Sequence, residues 1–452
     1  NNHGGMKMKA VTNFFDRLVQ RYLPDAFLFA VILTLFVFLL GIFMAGNTPI
    51  QMVEYWGTGF WDLLAFSMQM ALVVTTGYVL ANTPIVKKIL EKISLRAKNP
   101  IQAVILVTFI ATIASLINYG FGLVVGALIA IEIAKRVPSV DYRLLVASAY
   151  SGFLVWHGGF SGSTPLLIAT EGHFLEEKMG IIPVTETLFS SFNLFIVFVL
   201  LVTLPFLNAY LMKTREKMQI INPFTNLEEN GIGDEDKSQE TATNLNTPSE
   251  RLENSQIISI LIGLLGVSYI VYHFIVNGFD LNLNIVNLTM LFLGIILHRT
   301  PRRFLNSVND AVKNVGGIVI QFPFYAGIMG MMVESGLSEI ISLWFVNISN
   351  EFTYPLFTFI SAGLVNFFIP SGGGQWAIQG PIMIPAGMEL GVDNAKTAMA
   401  VAWGDAWTNM IQPFWAIPLL AIAGLKVRDI MGFCVIILIY SFFPIALGFL
   451  LF

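Results

Sequence analysis

Asn366-Phe-Phe-Ile-Pro-Ser-Gly-Gly-Gly-Gln375 interrupts an otherwise apolar stretch that runs over residues 354–390. A proline followed by a serine and three glycines cannot continue a helix. Proline removes a donor and clashes with the preceding turn, and glycine carries the largest backbone entropy cost. In water such a run would be a surface loop. Here the flanks suit lipid, and non-helical backbone at membrane depth survives only where it is buried in protein or lines a cavity. The stretch therefore reads as the tip of a re-entrant hairpin, residues 355–390, and as half of a binding site.

Composition defines the surroundings. The chain has 452 residues, of which 55% are hydrophobic and only 12% charged, against about 25% charged in a soluble domain. Apolar runs long enough to span a bilayer recur along it, which indicates an all-α polytopic membrane protein. The single cysteine, Cys434, excludes an internal disulfide framework and a thiolate metal cluster. HExxH, Walker-loop and Cys/His metal patterns are absent from the sequence. Ser163, in its Gly-rich run, has no assignable His/Asp pair. The expectation is thus no enzyme, no catalytic residue, no metal site and no cofactor, and nothing suggests a nucleic-acid partner.

Basic residues orient the chain. Lys7, Lys9, Arg17 and Arg21 precede a first span near 26–45. Lys87, Lys88, Lys92, Arg96 and Lys98 follow a second span near 60–81, and the loop between these spans has no Lys or Arg. Lys/Arg excess marks the cytoplasmic side. The N-terminal segment 1–22, whose residues 1–5 read as an expression scar, is placed in the cytoplasm. Residues 101–134 form an apolar block with basic residues at both ends and Asn118-Tyr-Gly-Phe-Gly122 in the middle. Two full spans need about 40 residues plus a turn, so this block reads as a hairpin entering from the cytoplasm.

Residues 143–170 then head outward, broken at Trp156–Pro165, and 187–212 return. Residues 213–255 carry five basic and nine acidic residues, the composition of a flexible cytoplasmic linker. A connecting helix, 256–277, goes out. Spans near 285–297 and 315–333 follow, then the hairpin 355–390 entering from outside. A span over 395–425, broken at Trp403–Pro413, and a last span over 430–452 leave the C-terminus in the periplasm. The halves 23–212 and 285–452 repeat one order of elements in opposite orientation. Thr108-Phe-Ile before Asn118 echoes Thr358-Phe-Ile before Asn366, and Gln69 echoes Gln321. The expected architecture is about nine full spans plus two opposed re-entrant hairpins in a 5+1+5 inverted-topology repeat. In such plans the substrate sits near the midplane among discontinuous helices.

Every break exposes helix N-termini, whose unpaired N–H groups favour anions. The candidate substrate ligands follow: Asn118, Gly120 and Gly122 at the first tip, and Ser161, Gly162, Ser163 and Thr164 in the first broken span. Asn366, Ser371, Gly372, Gly373, Gly374 and Gln375 come from the second tip, and Trp403, Thr408 and Asn409 from the second broken span. None of these segments holds Lys or Arg. A dicarboxylate or phosphate would more naturally be met by a guanidinium. A singly charged anion with an apolar tail needs only N–H and hydroxyl donors and hydrophobic walls. Asp405 is an intramembrane acid and so a functional candidate: proton carrier, sodium ligand or partner to backbone N–H groups. His157 can titrate near neutral pH, or can simply be a satisfied histidine at a cavity edge. Asp405, His157, Asn118 and Asn366 are the coupling-ion candidates, the ion being Na+ or H+.

Leu23-Pro-Asp, Asn118-Tyr-Gly-Phe-Gly-Leu-Val-Val-Gly, Gly159-Phe-Ser-Gly-Ser, Pro370-Ser-Gly-Gly-Gly, Ile378-Gln-Gly-Pro and Gln412-Pro-Phe-Trp-Ala together resemble the bacterial short-chain fatty acid transporters, from about Phe14 to the C-terminus. The resemblance implies movement of small monocarboxylates such as butyrate or acetoacetate across the inner membrane, cation-coupled, by alternating access. It places the chain near a wider group of ion-coupled carboxylate transporters and implies a homodimeric, elevator-like protein. Position 157 is usually glycine in that family and position 405 acidic, so His157 is a departure. The alternative left open is a sodium/proton antiporter or a transporter of another organic anion.

Overall fold

The structure is a computed structural model that describes residues 26–215, 223, 247–366, 369–412 and 414–452. The expected N-terminal segment 1–22 and most of the expected linker lie outside the described residues. Helices make up nearly all of what is described. The first half holds α1 (Ala26–Phe43), α2 (Pro49–Gly59), α3 (Leu64–Ala81), α4 (Pro84–Ser94), α5 (Pro100–Ile117), α6 (Tyr119–Arg136), α7 (Tyr142–Ser151), α8 (Ser163–Ile168), α9 (Glu176–Met179) and α10 (Ser191–Arg215). After α11 (Pro248–Glu253) and α12 (Gln256–Asn277) come α13 (Leu283–His298), α14 (Pro301–Ala311), α15 (Gly316–Glu334), α16 (Leu337–Ile348), α17 (Tyr354–Val365), α18 (Gly372–Glu389), α19 (Asn394–Thr408), α20 (Ala416–Ala423) and α21 (Val427–Leu451). Six of them, α3, α5, α10, α12, α15 and α21, are long and apolar enough to cross a bilayer.

Short polar residues start these helices by capping them. Asn99, Asn118, Asp141, Asn282, Ser371 and Asp393 each accept a backbone N–H from the first turn that follows. Each such cap satisfies a donor the helix itself cannot. This matters more in lipid than in water, because no solvent is there to take the orphan group.

Helix lengths recur in order. α2 and α14 have 11 residues each, α6 and α18 have 18 each, and α10 and α21 have 25 each. Packing recurs too: α5 lies against α7 as α17 lies against α19, and α6 lies on α3 as α18 lies on α15. Glycines make both helix crossings possible. A Cβ on Gly152 would sit 2.5 Å from the Thr112 backbone nitrogen, and one on Gly404 would sit 2.3 Å from the Phe359 carbonyl oxygen. Close backbone approach through small residues is how membrane helices associate where lipid is as apolar as their side chains. The outer α12 shows the same device on one face only. Its Gly263 and Gly266 receive Ile296 and Phe292 of α13, while Leu265 and Ile275 on its other faces are exposed.

Three expectations need correction. The segment read as a loop after span one is helical (α2), and so are the segments after spans two and six and after the span at 315–333, to which the charge pattern gave a side but no structure: α4, α14 and α16. The α4 and α14 sequences are amphipathic, with Lys88, Lys92, Arg302 and Arg303 interleaved among apolar residues, which is the pattern of a helix lying in an interface. Basic residues had been read only as topology markers. The second broken span is regular through Trp403, Gly404 and Asp405; its first helix ends only at Thr408 and the next begins at Ala416. Finally, the two hairpins differ. α5 and α6 pack closely along each other, with Gly122 fitting over Ser115. The arms α17 and α18 lie less closely along each other, tied by Tyr354 to the Met383 carbonyl and Gln375 to the Ala362 carbonyl, while α17 packs on α19 and α18 on α15, α16 and α19.

Candidate functional site

The three glycines after Pro370 are there because each meets an aromatic or imidazole ring. A Cβ on Gly372 would lie 2.5 Å from His157 Nε2, on Gly373 2.6 Å from the Phe66 ring, and on Gly374 2.5 Å from the Tyr325 ring. No other residue fits, so the start of α18 is wedged between side chains from α3, α15 and the 3-10 turn Gly152–Gly158 that continues α7. Ser371 caps this start, its hydroxyl accepting the Gly374 N–H at 3.3 Å. The N–H groups of Gly372 and Gly373 precede the first intrahelical donors and point out of the helix.

They face a tight cavity. It is lined by Met70, Tyr119, Trp156, Ser163, Gln321, Phe322, Ser371, Gly372, Gly373 and Trp415, among others, and the centre of a water-sized sphere ranges over about 20 Å³ of it. That is room for one or two waters. Tyr119, Phe414 and Trp415 also wall a second, more apolar cavity of about 160 Å³ with Leu123, Val124, Ile417 and Pro418. The dividing rings touch: Tyr119 lies 4.8 Å from Trp156 and 5.4 Å from Trp415, centroid to centroid and edge to face.

Of the expected ligands, Ser163, Ser371, Gly372 and Gly373 reach the first cavity and Gly120 the second. The others tie the breaks together. Asn118 caps α6 through the Phe121 N–H at 2.9 Å and donates to the Val73 carbonyl at 3.2 Å. Its polar atoms are therefore engaged, which weakens it as an ion ligand. Ser161 Oγ accepts the Tyr119 N–H at 2.8 Å, and the Phe160 N–H reaches the Leu116 carbonyl at 2.7 Å, so the first break is closed by the first tip. Gly122 serves the α5–α6 contact, and Gly162 lies against the His157 carbonyl. Gln375 donates to the Ala362 carbonyl at 2.8 Å and to Gln379 at 2.6 Å. Asn366 Nδ2 lies 3.0 Å from the Asp405 carbonyl, 3.0 Å from Thr408 Oγ1 and 2.9 Å from Asn409 Oδ1. Trp403 is fully buried and donates through its indole N–H to Asn193 at 2.9 Å. Thr164 is buried with its hydroxyl oxygen unpartnered.

Asp405 and His157, taken separately in the sequence, form a pair. His157 Nε2 lies 3.4 Å from Asp405 Oδ2, with both side chains almost fully buried. Neither ring nitrogen has another hydrogen-bond partner, and the Asn409 side chain lies beside the Asp405 carboxyl. The imidazole lies against the Trp156 ring, centroids 3.6 Å apart and planes tilted by 33°. Sequence reading missed Trp156, Tyr119, Gln321, Trp415 and Asn193 as site residues. Asn193 carried a signal, being one of two amides, with Asn208, in an apolar span; it holds the Gly158 and Leu188 carbonyls as well as Trp403.

The architecture and a buried, Lys- and Arg-free cavity at a helix start define a multi-pass helical membrane protein of a solved transporter fold. The chain aligns over 95% of its length with the Alcanivorax borkumensis YdaH transporter, covering 97% of that chain at 15% identity and a TM-score of 0.61. It aligns over 98% of its length with Neisseria gonorrhoeae MtrF, described as one of a class of antimetabolite efflux pumps, covering 97% of that chain at 13% identity and a TM-score of 0.55. The chain belongs to the short chain fatty acid transporter family, whose model matches residues 7–452. A protein of Escherichia coli (strain K12) that carries a provisional short-chain fatty acid transporter name is 48% identical over 98% of this chain and 99% of its own length. One of Haemophilus influenzae with the same provisional name is 46% identical over 95% of this chain and 97% of its own.

Proposed function

We propose that the protein moves short-chain monocarboxylates such as butyrate or acetoacetate across the bacterial inner membrane as a cation-coupled secondary transporter. One observation carries the reading beyond family membership. The α18 start places Ser371, Gly372 and Gly373, ahead of its first intrahelical donors, in the lining of a cavity that also has Ser163 and, among the described residues, no cationic side chain. Such a site neutralises one negative charge through backbone dipoles. It offers nothing to a second. The aromatic wall of Tyr119 and Trp415, and the apolar cavity behind it, supply a place for a short tail.

The recurring helix lengths and packing support an inverted repeat of about nine spans and two re-entrant hairpins, with the N-terminus cytoplasmic and the C-terminus periplasmic. Alternating access then works by moving the broken helices and tips relative to the remainder, elevator-like and within a homodimer. In counterflow, proteoliposomes loaded with unlabelled butyrate take up labelled butyrate; acetate and acetoacetate compete, and succinate does not. Equal competition by succinate, or absence of exchange with every short-chain monocarboxylate, overturns the reading.

A further inference from the structure

The buried His157–Asp405 pair joins the 3-10 turn Gly152–Gly158 to α19. Among the described residues it is a buried meeting of two ionisable side chains in which neither imidazole nitrogen has another partner and the Asp405 carboxyl has the Asn409 side chain beside it. Burying an imidazole and a carboxylate costs several kcal/mol per charge unless geometry and hydrogen bonds compensate, and apolar replacements are often more stable. The pair is therefore a poor structural device. Its position is informative: the imidazole edge lies directly against Gly372, whose N–H is one of the two offered to the cargo. A carboxylate bound at the α18 start would sit next to His157.

We infer that this pair is the coupling site and that the coupling ion is a proton; the inference rests on the monocarboxylate reading above. With one proton shared between His157 and Asp405 the pair is neutral. A carboxylate arriving at Gly372 brings one negative charge, and a second proton taken up by the pair restores neutrality. Both forms that cross the membrane, empty and loaded, then carry no net charge in a low-dielectric interior, where net charge is costly. On the other side the anion and its proton leave together. One proton accompanies each anion, and transport is electroneutral.

The surroundings favour a proton over sodium. A hard cation wants several oxygen ligands converging on one point. Here Asp405 faces a ring nitrogen, and Asn366 turns its amide nitrogen, not its oxygen, toward the Asp405 turn. The ionisable groups nearest the pair, on the elements packed about it, are Tyr119, Tyr150, Tyr354 and Cys434, all buried and neutral at ordinary pH. Tyr150 is committed to the Asn409 carbonyl and Tyr354 to the Met383 carbonyl. The charged residues of those elements lie at helix ends; on α19 itself Lys396 is nine residues before Asp405, about 13 Å along the axis.

The test uses the full chain in proteoliposomes with labelled acetoacetate, the leak into protein-free vesicles being subtracted. Wild type should accumulate the label about tenfold per pH unit, inside alkaline, with or without sodium. Replacing both groups, His157→Gln together with Asp405→Asn, leaves the pair no place for a proton and should abolish this accumulation. Accumulation driven by a sodium gradient at equal pH, or the double variant still driven by the pH gradient, overturns the proposal. Should the double variant lose counterflow as well, proton uptake decides: wild type in weakly buffered detergent should take up about one proton per acetoacetate bound, and absence of uptake assigns the pair to the fold and overturns the proposal. If wild type shows counterflow but no pH drive, only the coupling falls. If it shows no counterflow, the substrate reading fails and the coupling falls with it.

Discussion

Gly372→Ala is the sharpest perturbation the site allows. The added methyl would stand 2.5 Å from His157 Nε2, 2.7 Å from its Cε1 and 2.9 Å from the Trp156 ring, where ordinary contact begins at 3.4 Å. The imidazole cannot swing aside, since it is fully buried and held against the Trp156 ring. It must retreat by roughly 1 Å, or the helix start must. Overpacking of this kind costs about 1–3 kcal/mol. Alanine's better helix propensity returns up to about 1 kcal/mol, so the net loss of stability lies between about 0 and about 3 kcal/mol. Function should suffer more, because a displacement of about 1 Å at a positioned group can cost up to a hundredfold in rate. The assay is initial counterflow rate and melting temperature on one preparation. The expected result is at least a tenfold slower exchange with a melting temperature only a few degrees lower. Exchange at the wild-type rate would refute the seating of the α18 start on His157. Gly57→Ala is the contrast: exposed, helical, with nothing within 4 Å of the new methyl. It should stabilise by up to about 1 kcal/mol and leave exchange unchanged.

Leu123→Trp fills the 160 Å³ cavity beyond Tyr119 and Trp415, and should lower exchange of hexanoate more than that of acetate; an equal effect on both would show that tails do not enter it. Trp403→Phe leaves the buried Asn193 Oδ1 without its 2.9 Å donor, and should cost about 1–3 kcal/mol, read as a lower melting temperature. His173, in the loop between α8 and α9, is neutral in its native contacts: Nδ1 accepts the Leu175 N–H at 3.3 Å and Nε2 lies 3.0 Å from the Gly180 carbonyl. Burial pushes its pKa below the ordinary histidine value. The unfolded loop therefore binds a proton first as pH falls, and the stability this histidine contributes, complete above about pH 6.5, is lost below it. Hydrogen exchange across residues 170–180 should accelerate as pH falls from about 7 to 5, and His173→Gln should remove that dependence.

Much of this was legible in the sequence because lipid enforces simple rules. Spans had to be apolar and long, and breaks had to contain glycine, proline and small polar residues. The helix Gln256–Asn277 stands out as an apolar run between Ser255, which makes no side-chain cap, and Gly278. The amphipathic helices α4 and α14 were not seen because their Lys and Arg were read for topology alone. Asp405 was misplaced into unwound backbone because Gly404 looked like a breaker. Gly404 is instead a contact surface for α17, and a sequence does not distinguish a glycine that bends a helix from one that admits a neighbour. The pairing of His157 with Asp405 spans 248 positions and rests on how the two halves dock, which no local pattern records.

The contact of Trp156 with His157 gives the site an optical signature. An indole in contact with an imidazole loses emission when that ring becomes charged. Trp403 and Trp415 are buried close by, whereas Trp61 and Trp344 lie exposed and contribute a steady background. Protonation at His157, and any cargo that displaces water from the cavity, should thus register as a change in intrinsic fluorescence, with no label attached. A rapid-mixing trace could then time proton arrival against carboxylate arrival in the unmodified transporter.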